Sequence, residues 1–448
     1  MRPPGRPGSV ASHLRPLLES LLGPNPPVAF RFWDGSSLGG GASTIVVSSP
    51  LALRHLWWAP GELGFARAYV TGAIDVEGDF DAILNLRERL ATRDGVPQLR
   101  IGPATLGVLT RAAAATGALG GRPPLPPEEL RLRGLRHSKV RDAAAIAHHY
   151  DISNDFFRLV LGETMTYSCA LFSTEQTTLD EAQRAKYDLV CRKLGLRAGM
   201  RLLDVGCGWG GMVLHAATHY GVTAVGVTLS AHQAELATKQ VRERGLEGQV
   251  EIRNKDYRDI NDGPFDAISS IGMFEHVGEV RLGEYFERLA SLLRDKGRLL
   301  NHGISRPTPS ARSAAFKHAS FVDRYVFPDG ELLEVGRVVS AMQQRGFEVR
   351  DVESLREHYA QTLRCWVANL EANFDEAVRL VGQGRARVWR LYMAASALNF
   401  AANRTNIHQV LGVRSDNAGQ SGMPRTRAEM LSGAGVTLGG DPESLLSD

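Results

Sequence analysis

A glycine-rich motif is the strongest chemical signal in this 448-residue sequence. Residues 202–211 read LLDVGCGWGG, an apolar run with Asp204 in it, followed by a cluster of glycines. Glycines after a buried strand let the backbone approach a ligand closely, and the N-terminus of the following helix favours an anionic group. The motif therefore predicts a cofactor site at the carboxyl edge of an open α/β sheet, where strand and helix meet.

The same glycines fit two classes of cofactor. Residues 206–211 (GCGWGG) satisfy the G-x-G-x-x-G fingerprint of dinucleotide-binding enzymes. Those enzymes need an acid about 20 residues later for the ribose hydroxyls, but residues 227–230 read VTLS. Asp204 stands where methyltransferases commonly place a carboxylate that steadies the methionine end of S-adenosylmethionine. The local residues thus favour a methyltransferase over a dehydrogenase, and over a glycine turn without a ligand.

The elements that would position this motif alternate between strands and helices from about residue 140. Continuous apolar runs of this kind predict a parallel sheet covered by helices on both faces. The predicted strands are 201–206, 223–230, 250–257, 265–274 and 297–305, and the predicted helices between them are 211–220, 231–245 and 282–295. Residues 310–412 are predicted to be mostly helical.

Composition divides the rest of the chain. Leucines at helical spacing from Leu14 to Leu22 predict an amphipathic helix, for core packing or for membrane contact. The segments predicted are a disordered N-terminus (1–12), a small α+β domain (13–118), a linker rich in Pro and Gly and then basic (119–139), the α/β domain (140–412) and a flexible tail (413–448).

Charge and composition exclude several classes of protein. No apolar run reaches the length of about 18 residues that a membrane span requires, and residues 1–14 lack the apolar core of a secretory signal. Four separated cysteines suit a reducing cytosol and predict neither disulfides nor a metal site. Net charge is +3, and a basic cluster at 131–141 would face anionic phospholipid, nucleic acid or only solvent.

Seven motifs, taken together and in order, resemble the cyclopropane-fatty-acid synthase family. That family includes enzymes that modify phospholipid acyl chains and the mycolic acid cyclopropane synthases. The resemblance covers roughly residues 140–412 and implies a Rossmann-like class I methyltransferase domain, a mostly parallel doubly wound sheet with helical insertions. The motifs are HHYDISNDFF (148–157), MTYSCALF (165–172), LLDVGCGWGG (202–211), VTLSAHQ (227–233), DYRD (256–259), SIGMFEHVG (270–278) and LLNHGIS (299–305).

The resemblance also implies site residues and two bound groups, with no metal. S-adenosylmethionine would lie against Tyr167, Ser168 and the Asp204–Gly210 loop, that is Asp204, Gly206, Cys207, Gly208 and Gly210. Thr228 and Gln233 would hold its ribose, and Lys255 and Asp256 would flank its adenine. A bicarbonate ion would act as catalytic base, held by Cys169, Glu275, His302, the backbone of Ile304 and Tyr359.

The implied reaction adds a methyl group across the cis double bond of an unsaturated acyl chain in a phospholipid. The carbocation formed would lose a proton to bicarbonate and close to a cyclopropane. Alternatively, a hydride shift would give a methylene branch that a partner reductase saturates. Aromatic faces that could stabilise the cation are Tyr150, Phe274, Phe321 and Tyr325. His276 is set aside because it would point away from Glu275 on an extended segment.

Residues 65–84 look like the N-terminal domain of the phospholipid-acting members of the family, so domain 13–118 is expected to handle lipid. We expect a cytoplasmic protein, peripherally bound to the inner, anionic face of the membrane and without a nucleic-acid partner; a homodimer is compatible with this picture. A non-catalytic lipid-binding protein is the alternative from another class. A methyltransferase acting on oxygen or nitrogen of small molecules is a nearer rival.

Overall fold

The computed structural model describes residues 8–86, 103–130, 153–308, 320–328 and 330–432. Its helices are α1 (Val10–Leu22), α2 (Pro50–Trp58), α3 (Glu62–Val70), α4 (Phe80–Leu84), α5 (Pro103–Ala115), α6 (Asn154–Leu161), α7 (Leu179–Leu194), α8 (Gly211–Tyr220), α9 (Ala231–Glu243), α10 (Leu282–Leu292), α11 (Phe321–Tyr325), α12 (Val335–Gln344), α13 (Arg356–Ala372), α14 (Phe374–Val381), α15 (Gln383–Ala401) and α16 (Arg427–Ser432). The strands are β1 (Ala29–Phe32), β2 (Ser37–Leu38), β3 (Thr44–Val47), β4 (Ile74–Glu77), β5 (Arg201–Val205), β6 (Thr223–Thr228), β7 (Val250–Asn254), β8 (Phe265–Ile271), β9 (Leu293–Ser305), β10 (Glu348–Ser354) and β11 (Asn406–Val413).

The chain forms two compact units, and neither is continuous in sequence. The first takes residues 1–131, 312–328 and 370–398, and the second takes 132–311, 329–369 and 399–448. The linear domain boundaries predicted from the sequence stay a prediction. Two later segments nevertheless belong to the first unit, because membership is set by contacts and not by chain order.

The second unit is built on a seven-stranded sheet in the order β10-β11-β9-β8-β5-β6-β7. Strands β5 to β9 pair in parallel, and the chain order reverses direction at β5, beside β8. All five predicted strands and the three predicted helices between them are present, so the predicted α/β fold is confirmed. Helix α10 ends at Leu292, three residues before its predicted end, because the chain enters β9 at Leu293.

The sheet extends beyond the sequence prediction at one edge. Strands β10 and β11 come from the region expected to be mostly helical, and β11 pairs antiparallel with both β9 and β10. Residues after Val413 also differ from the predicted flexible tail as far as residue 432. Met430 of α16 is buried in a hydrophobic cluster with Val190 and Leu194 of α7, and this apolar contact orders the segment.

The first unit carries a small four-stranded sheet in the order β2-β1-β3-β4, flanked by helices. Strands β1 and β3 alternate between buried and half-buried residues, as a sheet with one covered face requires. Part of the predicted linker belongs to this unit, since the buried Glu129 carboxylate accepts two hydrogen bonds from Arg67, both 2.8 Å long. Helix α1 starts at Val10, inside the segment expected to be disordered.

Two features predicted from the sequence lie outside the described residues. They are the basic cluster at 131–141 and Tyr150 of the HHYDISNDFF motif. Within the part of the chain that the structure describes, no helix is long and apolar enough to cross a membrane.

Candidate functional site

A cavity opens at the carboxyl edge of the large sheet, beside the point where strand order reverses. Its wall includes nine of the eleven residues predicted to bind the cofactor: Tyr167, Ser168, Asp204, Gly206, Cys207, Gly208, Thr228, Gln233 and Lys255. Open α/β sheets bind ligands at this position because the loops that follow neighbouring strands diverge there. The structure therefore brings most of the predicted cofactor set together around one cavity.

The glycine loop takes a backbone conformation that side chains disfavour. Gly206, Gly208 and Gly210 have φ angles of 79°, 53° and 86°, in the region that glycine adopts without strain. The loop is anchored to β6 by the amides of Gly206 and Cys207, which both donate to the carbonyl of Val227. The chain can therefore turn sharply from β5 into α8, with its backbone exposed to the cavity.

Asp204 lies at the base of this loop, 2% exposed, and accepts a 2.6 Å hydrogen bond from the Ser269 hydroxyl. Burial raises the pKa of this carboxyl to about 6, while the Ser269 hydrogen bond and the nearby Lys186 oppose that rise. At neutral pH the carboxylate form predominates. Asp204 is the one acidic residue in the described wall of the cavity, so it is suited to a cationic group of the ligand.

The two residues predicted to hold a ribose are polar and uncharged. The Thr228 hydroxyl donates to Gln233 Oε1 at 2.7 Å, so the two residues predicted to hold a ribose are already in contact. The other two predicted cofactor residues do not line the wall. Gly210 precedes α8, and the Asp256 carboxylate accepts hydrogen bonds from the Arg258 backbone and guanidinium.

Helix α7 contributes cavity residues that the sequence analysis missed. Lys186 and Tyr187 line the wall, and Lys186 Nζ donates to Ser168 Oγ at 2.9 Å. Gln183 Nε2 donates to the Ser168 carbonyl at 2.8 Å, and the Tyr187 and Thr166 hydroxyls are 2.9 Å apart. Helical spacing in the sequence could have indicated them. These polar residues lie on the same face of α7 as the apolar Val190, and that face of an amphipathic helix is buried.

His276 also lines the cavity, so it points in a different direction from Glu275. The expected extended segment is not observed, because Phe274–His276 form a turn of 3-10 helix after β8. With three residues per turn, successive side chains point about 120° apart and still face different directions. His276 therefore faces the cofactor side while Glu275 faces into the protein.

The predicted bicarbonate residues lie beside this cavity and not in its wall. Glu275 Oε1 accepts a 2.6 Å hydrogen bond from the backbone amide of Ile304, whereas the buried Oε2 has no partner among the described residues. Burial raises the pKa of Glu275 to about 7. His302, on the strand that carries Ile304, is 1% exposed, and its Nε2 is likewise buried without a described partner. Burial lowers the pKa of His302 and keeps the ring neutral.

Cys169 and Tyr359 meet through one backbone carbonyl. The carbonyl of Leu355 is 3.6 Å from Cys169 Sγ and accepts a hydrogen bond from the Tyr359 amide. Burial raises the pKa of the Cys169 thiol, so it stays protonated and is no covalent nucleophile. Tyr359 is 5% exposed and packs on Phe400, with ring centroids 4.7 Å apart. Both side chains are therefore buried beside the Leu355 carbonyl.

Aromatic rings form a continuous run next to the cavity. Tyr167 lies between Phe157 and Trp366, at centroid distances of 6.1 Å and 5.3 Å, and Phe157 packs on Trp209 at 4.9 Å. Of the aromatic residues proposed from the sequence, Phe274 is buried next to Glu275. Phe321 and Tyr325 belong to the first unit, where their rings pack together 5.2 Å apart.

The residues present suit both implied groups. The cavity holds one carboxylate (Asp204) and two ammonium groups (Lys186 and Lys255) for a ligand with charges of both signs. Glu275 Oε2 and His302 Nε2 have no described partner. The carboxylate oxygen can accept a hydrogen bond, and the ring nitrogen can donate or accept one according to its tautomer. A small anion with a hydroxyl group needs both an acceptor and a donor. The Ile304 amide is already engaged by Glu275, so it would have to be shared.

Comparisons with known proteins point to one family. The family model for mycolic acid cyclopropane synthetase matches residues 137–410. A probable fatty acid methyltransferase of Mycobacterium tuberculosis is 44% identical and covers 89% of this chain and 93% of that relative. Another, of Pseudomonas putida, is 38% identical over 94% of this chain and 100% of the relative.

Solved structures agree with this relationship. Mycolic acid cyclopropane synthase CmaA1, complexed with SAH and CTAB, matches with a TM-score of 0.57 and 37% identity, over 60% of this chain and 97% of that one. The cyclopropane synthase MmaA2 of M. tuberculosis gives a TM-score of 0.58 at 34% identity, over 62% and 98%. These shorter proteins thus match little more than half of this chain, whereas the two fatty acid methyltransferases match nearly all of it.

Proposed function

The chain belongs to the mycolic acid cyclopropane synthetase family of S-adenosylmethionine-dependent methyltransferases, and from this premise we propose that it converts a cis double bond in a phospholipid acyl chain to a cyclopropane. Its relatives share the methylation of lipid acyl chains. The phospholipid, the bicarbonate and the ring product are our proposal.

One observation carries the proposal: a buried, partly unpaired carboxylate lies beside the cofactor cavity. Glu275 is 7% exposed, and one of its oxygens lacks a described partner. A group left in this state costs free energy unless a ligand completes its hydrogen bonds. Methyl transfer to nitrogen or oxygen of a small molecule also releases a proton, but from N–H or O–H, where solvent can take it. A reaction that removes a proton from carbon in a dry pocket needs a base held there.

The chemistry explains why the site is closed and aromatic. S-adenosylmethionine supplies an activated methyl group, and an alkene is a poor nucleophile that must be held in line with it. The acyl chain then carries a cation, which water would trap as an alcohol, so exclusion of water is essential. Ring faces such as those of Tyr167 and Trp366 attract positive charge and keep the region dry.

Bicarbonate, when bound, would supply the base that takes the proton. Glu275 Oε2 would accept its hydroxyl proton, and His302 and Tyr359 would donate to its oxygens. Cys169 would close the wall on the other side, with its thiol already donating to the carbonyl of Ala170. Burial of all four side chains supports this assignment, since a general base contributes most where water does not compete.

The share of this chain that each relative matches supports a phospholipid substrate over a mycolic acid substrate. Cyclopropane mycolic acid synthase 1 of M. tuberculosis covers 59% of this chain but 95% of its own length, and the family model begins only at residue 137, after most residues of the first unit. The fatty acid methyltransferases match those residues too. We propose that the first unit handles intact membrane lipid, and that residues 131–141 bind the anionic inner surface of the membrane.

Product analysis tests the proposal directly. The chain would be expressed in a bacterium without its own synthase, and the extracted phospholipids examined by proton NMR. Cyclopropane ring protons far upfield are the expected result. Olefinic signals of an exocyclic methylene without ring protons would assign the alternative product, a methylene branch that a reductase could saturate. Unmodified lipid, with the protein folded and binding the cofactor, would contradict acyl-chain methylation altogether.

A further inference from the structure

Lys186 is the buried charge that the proposed reaction leaves unexplained. It is 0% exposed and lines the cofactor cavity from α7. Lysine side chains are seldom fully buried unless a carboxylate pairs with them. Here the hydrogen bond described for Nζ goes to a neutral acceptor, the Ser168 hydroxyl, at 2.9 Å. An ammonium has three donors, so this one bond leaves its hydrogen-bonding capacity incomplete.

A second buried lysine on the same helix shows how the chain compensates such a charge elsewhere. Lys193 is also 0% exposed, and its Nζ lies 2.9 Å from Asp351 and 2.6 Å from Glu353. Both carboxylates belong to β10, away from the cofactor cavity. The two lysines are seven residues apart, yet only Lys193 is neutralised by described acids.

The cavity around Lys186 contains both acidic and basic side chains. Burial lowers the pKa of Lys186 to about 7, and the nearby negative charge of Asp204, itself hydrogen-bonded to Ser269, opposes that fall. The methionine part of S-adenosylmethionine carries one anionic group, the carboxylate, and one ammonium. Asp204 suits the ammonium, and Lys186 is the complementary partner for the carboxylate.

Resting on the proposed function, we propose that Lys186 binds the carboxylate of the cofactor's methionine moiety. The ammonium is already fixed by α7 and by the face of Tyr187, 3.9 Å from the ring centroid. Its charge would then be neutralised only when the ligand is bound. The burial of Lys186 serves binding at the expense of the stability of the free protein.

The test compares ligands with and without the carboxylate. Calorimetry would measure Kd for S-adenosylhomocysteine, for its decarboxylated analogue and for methylthioadenosine, which lacks the whole amino acid. A charge-assisted hydrogen bond corresponds to about 10- to 100-fold in affinity. Lys186→Met should weaken S-adenosylhomocysteine by about that factor and leave the other two within about twofold. Equal losses for all three ligands, or no loss for any, would overturn the assignment.

Lys193→Met is the matched control, since it removes a buried charge from the same helix away from the cavity. It should leave the ratio between S-adenosylhomocysteine and its decarboxylated analogue unchanged. Thermal unfolding of the ligand-free proteins separates binding from folding: Lys186→Met should unfold at the wild-type temperature or above it, because an unpaired buried charge is lost. If wild type binds none of the three ligands, the methyltransferase proposal fails, and if it binds them without carboxylate preference, only the role of Lys186 fails.

Discussion

The two oxygens of the Glu275 carboxylate are in different situations. Oε1 is fixed by the Ile304 amide, whereas Oε2 lies buried without a described partner near Gly303, whose backbone leaves room for it. A Cβ atom added to Gly303 would be 3.2 Å from Oε2 and would overlap the Phe274 ring. At the scale of single residues, the base site therefore depends on one carboxylate and on the absence of one methyl group.

Replacing Glu275 by Gln should remove most turnover and leave the cofactor affinity unchanged. The amide oxygen of Gln can still accept from the Ile304 amide, so the backbone link is retained, while the negative charge is lost and the acceptor Oε2 is replaced by an NH2 donor. A general base contributes about 10²–10⁴-fold, and kcat for acyl-chain methylation should fall within that range. Calorimetry with S-adenosylhomocysteine provides the control. A loss below about tenfold would mean that another group holds the base.

Gly303→Ala should lower kcat without weakening the cofactor. The added methyl group displaces Phe274 and presses on Glu275, and an error of 1 Å in a catalytic group can cost about 100-fold in rate. Overpacking of this kind also destabilises by about 1–3 kcal/mol, which thermal unfolding would detect. Gly336→Ala is the control, because no atom lies within 4 Å of the Cβ position there. Wild-type turnover in Gly303→Ala would disprove the tight packing.

Helix α7 links the cofactor site to the edge of the sheet. It starts with a capping box, in which Thr178 and Glu181 satisfy each other's backbone amides, and it ends at Gly195 in a left-handed conformation. Its inner face carries Lys186 to the cavity and Lys193 to the acids of β10. Arg427 of α16 pairs with the same two acids from outside. At the scale of a single element, α7 positions both Lys186, proposed to bind the cofactor, and Lys193, which pairs with the acids of β10.

Lys193→Met should destabilise the protein substantially, in contrast to Lys186→Met. Removing one partner of a buried ion pair typically costs about 3–5 kcal/mol, and here the neighbouring Arg427 should keep the loss near the lower end. Arg427→Met should cost no more than about 1 kcal/mol, because its side chain is 49% exposed. Chemical denaturation would rank the two variants. Equal losses of stability in the two variants would show that the buried Lys193 contributes no more than the exposed Arg427.

At the scale of the whole molecule, the relatives differ in how much of the chain they match. The second unit contains the candidate cofactor cavity and the proposed base residues, and the two short cyclopropane synthases match 62% and 60% of the chain. The residues of the first unit are matched by the long fatty acid methyltransferases.

We expect binding to anionic vesicles that weakens with salt. Each Lys or Arg near such a surface contributes about 1 kcal/mol, and the attraction falls off within a Debye length. Neutralising Arg131, Arg133, Arg136, Lys139 and Arg141 together should reduce cosedimentation with anionic phospholipid vesicles, and neutral vesicles give the baseline. Unchanged binding in that variant would reject the basic cluster and direct attention to the Leu14–Leu22 helix.

The sequence by itself determined the parallel core of the sheet and most of the cofactor cavity. Strand and helix periodicities are local, and the glycine loop follows its strand directly, so nearby residues suffice to predict both. Asp204 and Thr228 lie near the ends of predicted strands, Gln233 lies in the first turn of the following helix, and strand ends of a parallel sheet meet at one edge.

Only the tertiary structure decided the rest, because it depends on residues far apart in the chain. Strand β11 pairs with β9 about 100 residues earlier, and segments after residue 311 join the first unit. The turn at Phe274–His276 sends His276 to the cavity and Glu275 to the Ile304 amide. Lys186 falls on an apolar helix face in the sequence, but its partner and its place in the cavity appear only once α7 packs against Ser168. Burial and pairing are properties of the folded chain, and they decide which polar residues face the ligand.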